Sequence, residues 1–163
     1  WYAFNDLHGV IALCGAGRID DARTVVERLH RFDLGVEPAR GTTASMAVEI
    51  GLPASSAVVA FTESRFDDVV ALLLPIRARL HHFGGSHAQR DLLQRTLTEA
   101  AIRSGQLDLA RALVNERLSL RDTSVYGLLA RARICGLAGD DDGAAEARRR
   151  ATAQRDRFAA AAG

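Results

Sequence analysis

Residues 17–22 read Gly-Arg-Ile-Asp-Asp-Ala, and the pattern returns three more times in the chain. The later copies are Ser64-Arg65-Phe66-Asp67-Asp68-Val69, Gly105-Gln106-Leu107-Asp108-Leu109-Ala110 and Gly139-Asp140-Asp141-Asp142-Gly143-Ala144. Each opens on a small residue, carries Asp at its fourth position and closes on Ala or Val. A small first residue suits the left-handed end of a helix. An Asp at the start of the next helix meets the positive end of its dipole. A small closing residue lets two helices approach. Each copy also follows one apolar helical stretch and precedes another, so the pattern predicts a tight helix–turn–helix four times over.

Working outward from these turns gives four helical hairpins, at about 3–32, 53–83, 86–120 and 124–158. In the first, Phe4, Leu7, Ile11 and Cys14 recur at helical spacing, and Ala22, Val25, Val26 and Leu29 supply the facing stripe. Pro53 suits the first residue of a helix. The segment from Asp33 to Leu52 is read as loop, with a short extra helix from Thr43 to Ile50 stopped by Gly51 and Pro53. The alanine-rich tail is expected to fray. The first residues of successive turns lie 47, 41 and 34 apart. Only the last spacing matches the usual tetratricopeptide period. No run alternates in the strand period, so no sheet is expected. The fold class expected is therefore all-α: a tetratricopeptide-like, right-handed solenoid of about four hairpins plus the short extra helix, forming a single domain over 1–163.

Bulk properties narrow the function classes. With 48% hydrophobic and 25% charged residues, the 163-residue chain can bury a core. A net charge of +1 argues against a nucleic-acid partner, and no basic stretch is interleaved with aromatics. No run is long enough to span a membrane, and Trp1 to Asp6 lacks the layout of a signal peptide. Cys14 and Cys135 lie inside apolar helical patterns, which points to two buried thiols in a reducing, cytoplasmic compartment. The chain does not begin with Met and is expected to be part of a longer protein.

Four stretches carry a family resemblance: Phe-Asn-Asp-Leu-His-Gly (4–9), Leu-Leu-Leu-Pro-Ile-Arg-Ala-Arg-Leu (72–80), Gly-Gly-Ser-His-Ala-Gln-Arg-Asp (84–91) and Ala-Arg-Ala-Leu-Val-Asn-Glu-Arg-Leu-Ser-Leu-Arg (110–121). In this order they resemble the C-terminal part of the tetratricopeptide repeat protein 38-like family. The resemblance implies an all-helical solenoid with further repeats upstream. It supplies no catalytic residue. The large aromatics of a standard tetratricopeptide first helix are mostly absent here.

The stretch 84–91 has two readings. As punctuation, Gly84 ends a helix running from Leu72 to Phe83, Ser86 caps the next helix, and Gln89 completes a capping box. Ala88, Leu92, Leu93 and Leu97 then form the buried face. Ser86, Gln89 and Asp91 are structural in this reading, with Arg90 and Asp91 in ion pairs between repeats. As a site, His87, Arg90 and Asp91 share one helix face, continued by Gln94. The first helix carries Asn5, Asp6 and His8. In a solenoid both helices line the concave groove, so Asn5, Asp6, His8, His87, Arg90 and Asp91 are the candidate binding residues, with His87 and Arg90 open to the groove beside Asn5 and His8. No nucleophile–base arrangement stands out, so no catalytic residue is assigned. His81 and His82 are adjacent and point about 100° apart on a helix, so no metal site and no cofactor are expected. The Arg148–Arg150 run with Arg155 and Arg157 reads as a solvated terminal face. The expected role is a protein-interaction scaffold that holds a protein or peptide in its concave groove. The alternative is a small-ligand or catalytic domain built around Asn5, His8, His87 and Arg90.

Overall fold

The computed structural model describes residues 3–33, 46–83 and 85–161. Among these residues the protein is all-helical, with no strand. The α-helices are α1 (Ala3–Gly15), α2 (Ile19–Asp33), α3 (Leu52–Thr62), α4 (Phe66–Leu73), α5 (His87–Arg103), α6 (Leu107–Leu120), α7 (Val125–Leu137) and α8 (Asp141–Ala161). A π-helical turn, Ala47–Gly51, precedes α3, and a 3-10 segment, Arg77–Phe83, follows α4.

The four repeated turns share one backbone. Gly17, Ser64, Gly105 and Gly139 are all left-handed, with φ of 73°, 60°, 76° and 76°. In each turn the next amide donates to the carbonyl five residues behind it. These bonds run from Arg18 to Leu13 (2.8 Å), Arg65 to Ala60 (2.9 Å), Gln106 to Ala101 (2.9 Å) and Asp140 to Cys135 (2.9 Å). They satisfy carbonyls that the ending helix would leave open. The closing residues Ala22, Val69, Ala110 and Ala144 are all buried. The repeated Asp sits one residue inside each new helix, where it meets the dipole without capping. In the last turn an acidic side chain caps as well: Asp140 Oδ1 accepts from the Gly143 amide at 2.9 Å.

The chain divides into two compact units, Trp1–Ala100 and Ala101–Gly163. In the first, α1 packs on α2 and α3, α2 on α3, and α3 on α4. Val10, Ala22 and Val59 form a shared core there, flanked by Leu13, Cys14, Ile19, Val25, Val26 and Val58. In the second, α6 packs on α7 and α7 on α8. Ala144, Ala147 and Ala151 give α8 a narrow buried stripe. Gly127 permits close approach, since a Cβ there would stand 2.9 Å from Leu118 Cδ2. Ser124 caps α7 by accepting from the Gly127 amide at 3.2 Å.

Several expectations change. Thr43 to Ser45 lie outside the described residues, but Gly51 and Pro53 do not stop a helix. The backbone stays helical from Met46 into α3, with Gly51 at φ −62°. The wider π turn falls just before Pro53, which stands in the first turn of α3, where its missing N–H costs little. The helix expected from Leu72 to Phe83 instead breaks after Leu73. Pro75 cannot donate a backbone hydrogen bond, so the helical ladder ends there although Leu74 keeps helical dihedrals, and the chain resumes as the tighter 3-10 segment. In α1 it is Leu7 and Val10 that are buried, whereas Phe4 and Ile11 are half-exposed. In α5 the buried stripe is Leu93, Leu97, Ala100 and Ala101. Ala88 and Leu92 are exposed. Helix α8 runs on through Ala161. Cys14 and Cys135 are free and only half-buried.

Candidate functional site

The stretch 84–91 is built against α1. Gly84 lies outside the described residues, so the left-handed conformation expected there is not described. Gly85 has φ 72°, and a Cβ on it would overlap the Phe4 ring. Backbone and aromatic ring thus touch at a position only glycine can occupy. One residue later a full capping box opens α5. The Ser86 amide donates to Gln89 Oε1 at 2.7 Å, and the Gln89 amide donates to Ser86 Oγ at 3.3 Å.

The Gln89 side chain then reaches across to α1. Its amide Nε2 donates to His8 Nε2 at 3.2 Å, while His8 Nδ1 donates to the Phe4 carbonyl at 2.7 Å. The two bonds fix the tautomer by consistency. Phe4 and His8 also stack, with ring centroids 4.3 Å apart. Arg90 Nη1 donates to the Gly85 carbonyl at 2.6 Å and Nη2 to His87 Nδ1 at 3.2 Å. Further along the same face, Gln94 donates to the Arg77 carbonyl at 3.2 Å and ties α5 to the 3-10 segment.

This joint encloses a cleft of about 100 Å³. Phe4, Leu7, His8 and Ile11, one face of α1 at helical spacing, form one wall. Gln89, Arg90, Leu92 and Leu93 of α5 form the other, and Leu80 closes an end. The lining is mostly apolar, with its polar groups on the α5 side and at His8. Leu92 remains 44% exposed, unusual for a large apolar residue beside a buried one.

Of the six candidate residues, His8 and Arg90 line the cleft. His87 is exposed and acts on Arg90 without lining the cleft. Asn5 is exposed, and Asp91 is half-buried. Asp6 turns toward α2, with Oδ1 3.8 Å from Arg28 Nη2, and its other oxygen is buried without a hydrogen-bond partner. Burial raises the Asp6 pKa more than Arg28 lowers it. The cleft also contains residues the sequence reading did not assign to it. Gln89 carries two duties at once, cap and bridge, and only the first has a local signature. Phe4 and Ile11 read as core from their spacing alone.

A second polar cluster joins α2 to the turn between α3 and α4. Glu63 accepts from Arg23 Nε at 2.9 Å and from Arg65 Nε and Nη2 at 2.8 and 2.7 Å. Arg65 also pairs with Asp68, and Arg23 with Asp20. The hydrogen bonds from Arg65, then Arg23, hold the Glu63 carboxyl below its ordinary range. In the second unit, burial first and then Asp140 push the Cys135 thiol up. His81 and His82 stack edge-on at 4.1 Å, and His81 Nδ1 donates to the Ala78 carbonyl. Among the described residues no three His, Cys, Asp or Glu side chains converge as a metal site, and no helix is long and apolar enough to cross a membrane. No family model matches the chain, and no solved structure matches it.

Proposed function

We propose that this protein is a tetratricopeptide-like helical-hairpin scaffold that holds a protein or peptide partner. In this reading its hairpins continue one another as a right-handed solenoid, and the resemblance to the tetratricopeptide repeat protein 38-like family is one of descent. Four turns with the same left-handed residue, the same backbone bond and the same buried closing residue support a repeat architecture. Two free thiols on separate helices support a cytoplasmic setting.

The observation that carries the interaction role is the cleft between α1 and α5, an apolar notch with Leu92 left exposed at its edge. Small-molecule pockets are commonly several times larger, at about 300–1,000 Å³. A notch this size fits one side chain of a larger partner. The small-ligand alternative needs Asn5, His8, His87 and Arg90 to converge, and only His8 and Arg90 line the cleft.

The test places a photo-crosslinking residue at Leu92 and, as a control, at Leu74, which follows the end of α4 and is 39% exposed. In native extract the Leu92 position should give discrete protein adducts that the Leu74 position does not. Identical adducts from both positions would refute a partner site at the cleft.

A further inference from the structure

We propose that the far end of α8, past the reach of α7, docks an acidic amphipathic helix of a partner protein. This surface belongs to the second unit and does not depend on the cleft reading above.

Helix length creates the surface. α8 has 21 residues against 13 in α7, which makes it about 12 Å longer at the usual rise of an α-helix. The two pack on each other across the turn at Gly139. α7 starts at Val125 and so runs out alongside α8 soon after Ala151, the last residue of the buried stripe. The stripe itself does not stop there. Ala144, Ala147 and Ala151 alternate spacings of three and four, and the alternation carries on through Gln154 to Phe158. Gln154 is half-buried and Phe158 is 57% exposed. Such an alternation is the seam that keeps one face of a helix toward a neighbouring helix. A large apolar ring thus stands on the seam after its neighbour has ended, where burial would stabilise it.

Charge sets what covers that ring. Arg148 and Arg155 border the seam on one side, and Arg150 and Arg157 border it on the other. Each pair is seven residues apart, about two turns, and so keeps to its own side. The arginine run read as one solvated face is therefore two rows framing an apolar line. All four arginines are exposed, and none has an ion pair among the described residues. Glu146 is taken by Arg149 at 2.6 Å. Asp156 falls on the side of α8 opposite Phe158. Between paired helices, the rows beside the seam face the corresponding rows of the neighbour and decide which neighbour is accepted. Two rows of arginine match two rows of Glu or Asp, with apolar residues between them. A second copy of this end would set arginine against arginine, which disfavours it.

The experiment uses the whole chain and fluorescence anisotropy of labelled peptides. The first peptide repeats Glu-Ile-Ala-Ala-Leu-Glu-Gln three times. The second replaces each Glu by Lys. The third keeps the composition of the first in a shuffled order that forms no apolar face. The first should bind, the second should not, and the third should bind at least about 10-fold more weakly than the first. Phe158→Ala should weaken the first peptide about 10-fold, as expected for one lost aromatic contact. Arg155→Gln with Arg157→Gln should weaken it by a similar factor and flatten its salt dependence. Arg155→Glu with Arg157→Glu should move the preference toward the Lys peptide. All three positions are exposed, so melting curves of these variants should match the wild type.

Equal binding of the shuffled and ordered acidic peptides would reduce the surface to a polyanion site and overturn the helix claim. A concentration-dependent dimer in sedimentation that Phe158→Ala abolishes would assign the surface to a second copy and overturn the partner claim. No binding of the first peptide, or binding indifferent to Phe158, would overturn the inference altogether. The Leu92 crosslinking result judges the cleft separately.

Discussion

Two kinds of turn occupy this chain, and they are closed by different means. The turn at Gly105 closes on its own backbone: Gln106 donates to Ala101, and a Cβ on Gly105 would meet nothing within 4 Å. The turn at Gly85 closes on side chains from far away in sequence. Gly85 packs on Phe4, and Gln89 bonds His8 across 81 residues. The first kind is punctuation that any helical hairpin can reuse. The second is a joint whose geometry exists only when α1 and α5 have met, and the cleft comes into being with it.

Alanine at the two glycines separates the kinds most sharply. Gly105→Ala should cost about 1–2 kcal/mol, the price of a left-handed residue with a Cβ. Gly85→Ala carries the same backbone cost and adds overlap with the Phe4 ring, which raises the loss to about 3 kcal/mol. Urea unfolding of both variants measures the gap. In a Phe4→Ala background the Gly85→Ala penalty should shrink toward that of Gly105→Ala. Equal penalties in the wild-type background would mean that the joint is no tighter than the repeated turns.

The double duty of Gln89 gives the next largest effect. Ser86→Ala removes one half of the capping box and should cost about 1 kcal/mol. Gln89→Ala removes the other half together with the bridge to His8, for about 1–2 kcal/mol. A double-mutant cycle between His8→Ala and Gln89→Ala should show a coupling of about 0.5–1 kcal/mol. Zero coupling would reduce the bridge to a contact without energetic weight.

The repeated turns can be sharpened in the opposite direction. Ser64 is the one left-handed non-glycine among the described residues, at φ 60°. Ser64→Gly should stabilise the protein by up to about 1 kcal/mol, by relieving a conformation that disfavours a Cβ. A destabilised Ser64→Gly would mean that the serine side chain contributes more than its backbone costs.

The smallest effect belongs to the acid response of the same turn. The folded-state pKa of Glu63 is lowered by Arg65 and Arg23. Its contribution to stability is therefore present above the ordinary carboxylate range and fades as pH falls through the depressed folded value. Glu63→Gln should flatten that fall in a series of melting curves from neutral to acid pH. High salt should have a similar effect, because both arginines are about half exposed. An unchanged pH profile would remove Glu63 from the latch between α2 and the α3–α4 turn.

What could be read in the sequence follows the same division. Each hairpin turn is determined within one short local stretch, from the carbonyl of the ending helix (Leu13 in the first turn) to the small buried residue of the next (Ala22). Its residue types state the left-handed slot, the dipole-facing Asp and the close helix contact directly. The Ser86–Gln89 box was legible for the same reason, since both partners lie within one helical turn. The break after Leu73 was missed, since the expected helix ran from Leu72 to Phe83 through Pro75, although the missing donor of Pro75 is itself a local signal. Which apolar residues are buried was not local. Leu92 and Leu93 are neighbours of the same type, yet only Leu93 is in the core, because burial depends on the face another helix covers. The candidate polar stripes shared a helical period, but period alone does not say what stands opposite. Tertiary packing turned Asp6 toward Arg28, brought Gln89 to His8, and kept His87 behind Arg90. The sequence by itself determined the helices and the turns that join them, because those bonds close within a few residues. Only the tertiary structure decided the cleft, whose walls come from segments some eighty residues apart and meet through contacts that no local pattern encodes.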